Sequence, residues 1–431
     1  MREMKDSGIE WIGEIPVDWE VSRIKQLFSE VNDRCENSEN YTLLSVSEYY
    51  GVAPKSERIS DDDMLTHAET LDGYKICKEN DLVMNIMLAW KRAMGVSEYT
   101  GIVSPAYCIY RGKQNMCAKY FHYLFRTDMY ANLFKQYSTG IIDSRLRLYP
   151  DKFFALKCQV PPVDTQHRIA DYLGSKCSQI DAIITLQQEV IEKLKVYKLS
   201  IITEAVTKGL DPDVPMKDSG VEWIGEIPEH WKMVRLKFLL SHIIDCPHET
   251  PIYSADGDYL VIRTADQDLG KLRAAEDMYR LDEGEYQNRI RRMPLEKDDI
   301  VYGREGERWG LACLVPESNK YCLGQRMLQF RCKRELFLPG FAMWALNSKF
   351  VYLQGAIDTI GSTSPHVNIS TVRNFLIPVP NINEQLEIIE YVDKKMSQLD
   401  KEVEHREMLI CKLNEYKKSL IYEVVTGKKE V

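Results

Sequence analysis

Residues 5–19 read KDSGIEWIGEIPVDW, and residues 217–231 read KDSGVEWIGEIPEHW: one phrase, written twice, 212 positions apart. The match runs on to Phe28 and Leu240, with Arg23 over Arg235, Lys25 over Lys237 and Leu27 over Leu239. A second match stands at a spacing of 219. There VPPVDTQHRIADYLGSKCSQID (160–181) aligns with VPNINEQLEIIEYVDKKMSQLD (379–400), and EKLKVYKLSIITEAVT (192–207) with CKLNEYKKSLIYEVVT (411–426). The chain is two copies of one plan, each about 210–220 residues long. A period of that length indicates tandem duplication and not a solenoid. The stretches between, roughly 29–150 and 241–370, do not align. The frame is duplicated; its contents differ.

The bulk composition sets bounds. A chain of 431 residues predicts two to four domains. With 44% hydrophobic and 28% charged residues it reads as a globular protein. The net charge of −9 argues mildly against nucleic-acid binding, although the distribution of charge matters more than its total. The eleven cysteines are odd in number and no pair is spaced C-x-x-C, so zinc-ligand spacing is absent and free thiols in a reducing compartment are expected. The first residues, MREMKDSGIEWIG, hold no apolar stretch of a signal peptide, and no run of 18 apolar residues predicts a transmembrane helix. A cytoplasmic location is the expectation.

The closing segments carry a helical seam. In the first copy Ile169, Leu173, Ile180, Ile184, Ile191, Leu194 and Ile201 recur at coiled-coil steps, interrupted by Lys176, Gln187 and Lys198. Ile388, Val392, Leu399, Val403, Ile410, Leu413 and Leu420 hold the corresponding register in the second. Each helix is predicted to follow a proline stop, with Asp164 or Asn383 near its start, and to end at Gly209 or Gly427. About 40 residues at 1.5 Å each make a rod of ~60 Å. Such a helix must bury its seam, and the other copy is the obvious partner in an antiparallel pair. Folding back on its own domain is the alternative.

The middles predict mixed structure. Strand-like runs stand at 42–50, 81–90, 103–111, 258–266, 298–304 and 311–317, and one helix is expected in each middle, at 119–134 and 339–354. The predicted fold class is α+β: two globular α/β domains separated by a pair of long antiparallel coiled-coil helices, with an internal pseudo-two-fold repeat.

Charge is polarised within each middle. Residues 29–81 carry net −8 and 82–150 net +6; residues 241–288 carry net −7 and 289–375 net +5. Two unaligned stretches share this acidic-then-basic order, which points to one basic face on each domain. Side chains suited to groove contacts lie in the basic parts: Lys91 and Arg92 beside Trp90, then Ser144, Arg145 and Arg147, then Arg289, Arg291, Arg292, Arg304, Gln325, Arg326, His366 and Asn368. Arg and Lys suit phosphates and guanine edges, while Asn and Gln suit adenine. A solvated charged face is the plainer alternative for any one of them.

Catalytic patterns are missing. There is no P-loop, no Asp/Asn-Pro-Pro-Tyr/Phe of an amino-methyltransferase, and no histidine triad pattern. Gly303 to Gly310 has the wrong spacing for a dinucleotide loop. Cys246-Pro-His248-Glu249 lacks a second ligand pair, and Asp61-Asp62-Asp63 reads as a helix start or solvated loop. A recognition or scaffold protein is expected.

These residues resemble the specificity subunits of type I restriction–modification systems. The phrase DSGIEWIGEIPVDWEVSRIK is similar to the start of such subunits, and its recurrence at 218–237 to their internal junction. IPVPNINEQLEIIEYV (377–392) is similar to their proline-to-helix boundary; in the first copy Thr165-Gln166-His167 departs from the usual Glu-Gln. LVMNIMLAWKRAMGVSEYTGIVSPAY (82–107) resembles one class of target recognition domain, with Ile86 and Lys91-Arg92 departing from it, and DCPHETPIYSADGDYLVIRTAD (245–266) resembles another. The resemblance implies an organisation of 1–160 (first motif and target recognition domain), 161–210 (spacer helix), 211–378 (junction motif and second recognition domain) and 379–431 (second spacer helix). It implies that each recognition domain reads one half of a bipartite double-stranded DNA site, and that the helices set the gap and dock two methyltransferase subunits. Those subunits would use S-adenosylmethionine, the restriction subunits ATP and Mg, and this chain would bind no cofactor or metal and catalyse nothing. A coiled-coil adaptor that binds only protein is the alternative; a self-sufficient nuclease or methylase is the third possibility, weakened by the missing motifs.

Overall fold

A computed structural model describes residues 2–57, 71–113, 115–306, 308–357 and 365–431. The Asp61-Asp62-Asp63 run lies outside them. The chain divides into two compact units: Met1–Gln187 with Met408–Val431, and Gln188–Glu407.

In the first unit the repeated phrase folds as a hairpin, pairing Met4 with Pro16 and Asp6 with Glu14. Asp6 accepts the Gly8 N–H at 2.9 Å, and Gly8 and Gly13 take positive φ, which few side chains tolerate. The second unit repeats this: Met216 pairs with Pro228, Asp218 with Glu226, and Asp218 accepts the Gly220 N–H at 2.9 Å. The phrase is therefore a self-contained turn device. Its closing tryptophans, Trp19 at 0% and Trp231 at 1% exposed, are buried in the two main cores.

The unaligned middles share one fold. In the first, a four-stranded sheet runs in the order Phe28–Val31, Tyr107–Gly112, Leu82–Asn85, Met94–Val96, all antiparallel. In the second the order is Leu240–Asp245, Met327–Cys332, Ile300–Gly303, Ala312–Leu314, again antiparallel. Each also holds a second sheet containing one parallel pair, Thr42–Ser47 with Gly101–Val103, and Tyr259–Ile262 with Tyr321–Leu323. The central strands LVMN and IVYG are buried at every position, which is why they read as short apolar runs without alternation.

The one helix expected in each middle is two. Ala118–Phe125 stops and Asp128–Tyr137 begins anew, with the Thr127 hydroxyl accepting the Tyr130 N–H. A side chain that satisfies an exposed helix N–H favours a new start over continuation. Pro339–Leu346 and Lys349–Ile357 break at the same place, where Asn347 exchanges two hydrogen bonds with the backbone of Ala312.

The long helices are Val163–Lys208 and Ile382–Val425. Asp164 and Asn383 fall inside the first turn; in the second helix Asn381 is the residue that caps, accepting the N–H groups of Asn383 and Glu384. In the first unit, Asp181 pairs with Lys417 at 2.6 Å, while Gln159, just before the helix, donates to the Val425 carbonyl. These two contacts make the helix segments of that unit antiparallel. In the second unit Asp400 pairs with Lys198, and Tyr391 lines one cavity with Ala205 and Lys208, giving the same sense. Asp181 and Asp400 occupy one repeat position, as do Lys198 and Lys417. Each copy's aspartate thus meets the other copy's lysine.

Along the seam Ile169, Leu173, Ile180, Ile191, Ile201, Ile388, Val392 and Leu420 are buried, and Ile184, Leu194, Leu399, Val403, Ile410 and Leu413 are half-buried. Gly209 and Gly427 end the helices at φ +76° and +75°. A Cβ on Gly209 would lie 3.2 Å from the Trp231 ring, and one on Gly427 only 2.5 Å from Pro16 and 3.2 Å from Trp19. Each phrase therefore closes on the end of the long helix that precedes it in the circular order of the repeat.

Candidate nucleic-acid interface

In the first unit the strand Leu82–Asn85 leads into a tight turn, Ala89–Lys91, and Arg92 follows in the left-handed region at φ +67°. That turn is held from inside. Arg126 donates to the carbonyls of Arg92 (2.8 Å), Met94 (2.6 Å), Glu48 (3.0 Å) and Tyr49 (2.9 Å). Burial, with Arg92 nearby, lowers Arg126 to about 10. His122, half-buried, accepts the Val96 N–H through Nδ1 and is lowered to about 3 by burial and then by the surrounding cations. Neither residue was singled out in the sequence; a cation bonded to backbone carbonyls leaves no spacing signal.

Outside this scaffold Lys91 is exposed, and Arg92 pairs with Asp128. The Trp90 ring has Lys91 5.3 Å and Lys135 4.8 Å from its centre. Lys135 also pairs with Asp143 at 2.9 Å, which joins this patch to the loop carrying Ser144, Arg145 and Arg147. Ser144 and Arg145 lie in the turn Asp143–Arg145; Arg145 is exposed, and Arg147 is half-buried and exchanges backbone bonds with Thr139. The sequence-selected residues of the first domain therefore fall on one connected surface.

The second unit brings Arg304, Glu305, Gln325, Arg326, Arg292 and His366 together around Asp245. Asp245 meets His248 Nε2 at 3.0 Å and lies 3.4 Å from Arg304 Nε. Arg292 donates to the Asp245 carbonyl at 3.0 Å, and Gln325 Nε2 to the His248 carbonyl at 2.9 Å. Glu305 bridges to His366 in a short antiparallel contact and lies between Arg304 (3.0 Å) and Arg326 (3.9 Å). Arg326 is exposed and left-handed at φ +69°. Arg291, Arg292 and Asn368 are exposed, and Gln325 and His366 half-buried. A non-glycine residue held at positive φ is uncommon, and both domains place an arginine so.

Two of the selected arginines need correction. Arg289 is buried, and its guanidinium donates to the carbonyls of Leu323, Glu249 and Pro247. Arg304 is also buried, between Asp245 and Glu305. Both are enclosed scaffold residues, without the exposed donors that contact with DNA requires. Of the other two phrase tryptophans, Trp223 is 42% exposed, and Trp11 packs edge-on against Tyr130 at 5.3 Å.

Among the described residues no group of three or more His, Cys, Asp or Glu could hold a metal, and no helix is long and apolar enough to cross a membrane. Cys246 is buried, with burial pushing its thiol up, and its sulfur accepts the Met327 N–H. The Cys-Pro-His-Glu stretch is thus part of the Asp245 loop.

Residues 228–408 match the family model of the type I restriction modification DNA specificity domain. The chain is 24% identical over 432 residues to the type I restriction enzyme MjaVIII specificity subunit of Methanocaldococcus jannaschii, covering 96% of this chain and 93% of that one. It is 23% identical over 439 residues to the putative MjaX specificity subunit of the same organism, covering 97% and 95%. Its fold is similar to a chain from a study of complex assembly and conformational transition of the type I R-M system, with a TM-score of 0.69 at 14% identity over 96% of this chain and 99% of that one. It is also similar to the HsdS subunit of Thermoanaerobacter tengcongensis, with a TM-score of 0.53 at 14% identity over 96% and 98%. The domain match, the relatives matched along nearly their whole length and the fold agree with the duplicated frame: residues 228–408 match a type I restriction modification DNA specificity domain, and the chain is similar over nearly all of its length to type I restriction enzyme specificity subunits.

Proposed function

We propose that each middle domain reads one half of a bipartite double-stranded DNA site, and that the long helices set the gap and dock two methyltransferase subunits. The chain supplies no catalytic group. S-adenosylmethionine, ATP and Mg belong to the methyltransferase and restriction subunits, which act on the DNA this chain selects. The observation that carries this reading is the pair of domains with one sheet order and different surfaces. Common fold with unlike surface chemistry suits two different base sequences read in the same manner. Exposed Lys91, Arg145, Arg291, Arg292 and Arg326 supply phosphate contacts and part of the base choice, with affinity that falls as salt rises. The test is adenine-methylation mapping in cells carrying this chain and its cognate methyltransferase. A split, asymmetric site is expected; methylation at one continuous short site, or no dependence on this chain, refutes the proposal and favours the protein-only adaptor.

A further inference from the structure

The loop after Tyr137 in the first domain exposes apolar surface that no core explains. Ile141 is 100% and Ile142 53% exposed. The loop is nonetheless built. Thr139 and Arg147 exchange two backbone hydrogen bonds at 2.9 and 3.0 Å, and Leu148 donates to the Ile86 carbonyl at 2.9 Å, tying the loop's root to the strand that leads to Trp90. Within it Arg145 donates to the Ile142 carbonyl. Gly140 sits so close to the returning limb that a Cβ would lie 2.6 Å from the Arg145 carbonyl oxygen. Lys135, beside Trp90, holds Asp143 of the same loop. The result is a pinned tip with two isoleucines forward and cations at its base: Arg145, Arg147, Lys135 and Lys91.

A fully exposed isoleucine loses hydrophobic stabilisation in the free protein unless a partner covers it. Cations at its base suit a polyanion, and an apolar tip cannot bond to phosphate. In the major groove the apolar feature that distinguishes one base pair from another is the thymine 5-methyl group. We infer that Ile141, with Ile142, is a specificity finger of the first domain that contacts a thymine methyl within its half-site. This rests on the DNA-reading function proposed above.

The test uses the complex assembled with the cognate methyltransferase and a duplex bearing the mapped site. Replacing each thymine of the first half-site by uracil removes only the methyl. For the wild-type complex, one such replacement is expected to weaken binding about fourfold. The double variant Ile141→Ser/Ile142→Ser should bind the unmodified site about tenfold more weakly and be insensitive to the same uracil, while its salt-dependent binding to unrelated duplex and its assembly stay unchanged. Retained sensitivity to uracil in the variant, no uracil effect in the wild type, or lost assembly (a protein-docking tip) would each overturn the inference. Because the second half-site and non-specific binding are read in the same assay, failure of the finger is distinguishable from failure of DNA reading altogether.

Discussion

At the scale of single residues, the repeated phrase packs through its closing tryptophans. Trp19 and Trp231 fill equivalent places against the glycines that end the long helices. Trp19→Ala would leave a cavity in a closed core and is expected to cost about 3–5 kcal/mol in a denaturant titration, with the recognised sequence unchanged in the surviving complex. A shifted sequence preference would count against that role. Tryptophan type alone does not decide depth, since Trp19 and Trp231 are core and Trp223 is 42% exposed. The arginines were not legible either, because composition gives charge but not depth: Arg289 looks like a surface cation and is buried among carbonyls, and half-buried Arg126 is likewise bonded to carbonyls. The isoleucines at 141–142 are the opposite case, an apolar pair that lies outside the core.

At the scale of elements, the long helices were legible because their seam repeats independently in two copies. The devices that fix them to their domains were not. Gln166 and Gln385 stand at one repeat position, both buried. Gln166 Oε1 accepts the Cys117 N–H at 2.9 Å and Gln385 Oε1 the Leu338 N–H at 2.8 Å, at the starts of the helices Ala118–Phe125 and Pro339–Leu346. Each Nε2 returns to a proline carbonyl before its own helix, Pro161 or Pro380. A buried amide with both ends bonded is costly to remove and holds one orientation. That explains why the first copy tolerates Thr165 for Glu384 while keeping the glutamine. The helix pair also offers a ruler. Asp181 pairs with Lys417 in the first unit and Lys198 with Asp400 in the second, so the points to lengthen are one between Asp181 and Lys198 in the first helix and one between Asp400 and Lys417 in the second. Four residues inserted at both points add about 6 Å of helix. Methylation mapping should then return both half-sites unaltered with a longer gap; an unchanged gap would show that the helices do not set it.

At the scale of the whole molecule, the sequence announced the duplication but hid the kinship of the middles. Sheet order is fixed by backbone pairing and by which positions are buried, and many side-chain sets satisfy both. Hence LVMN and IVYG occupy equivalent central strands with only Val83 and Val301 identical between them, and the shared break in the domain helices was missed twice. What differs between the domains is their surface: a Trp90–Lys135–Asp143 patch with an isoleucine tip in one, an Asp245-centred cluster with Arg326 in the other. The central claim is that these two surfaces read separate halves of one DNA site. Exchange of residues 29–150 for the corresponding domain of a similar specificity subunit tests it most directly, read by adenine-methylation mapping with the same methyltransferase. The account predicts that one half of the recognised site changes while the other half and the gap persist; a change in both halves, or in neither, would contradict it.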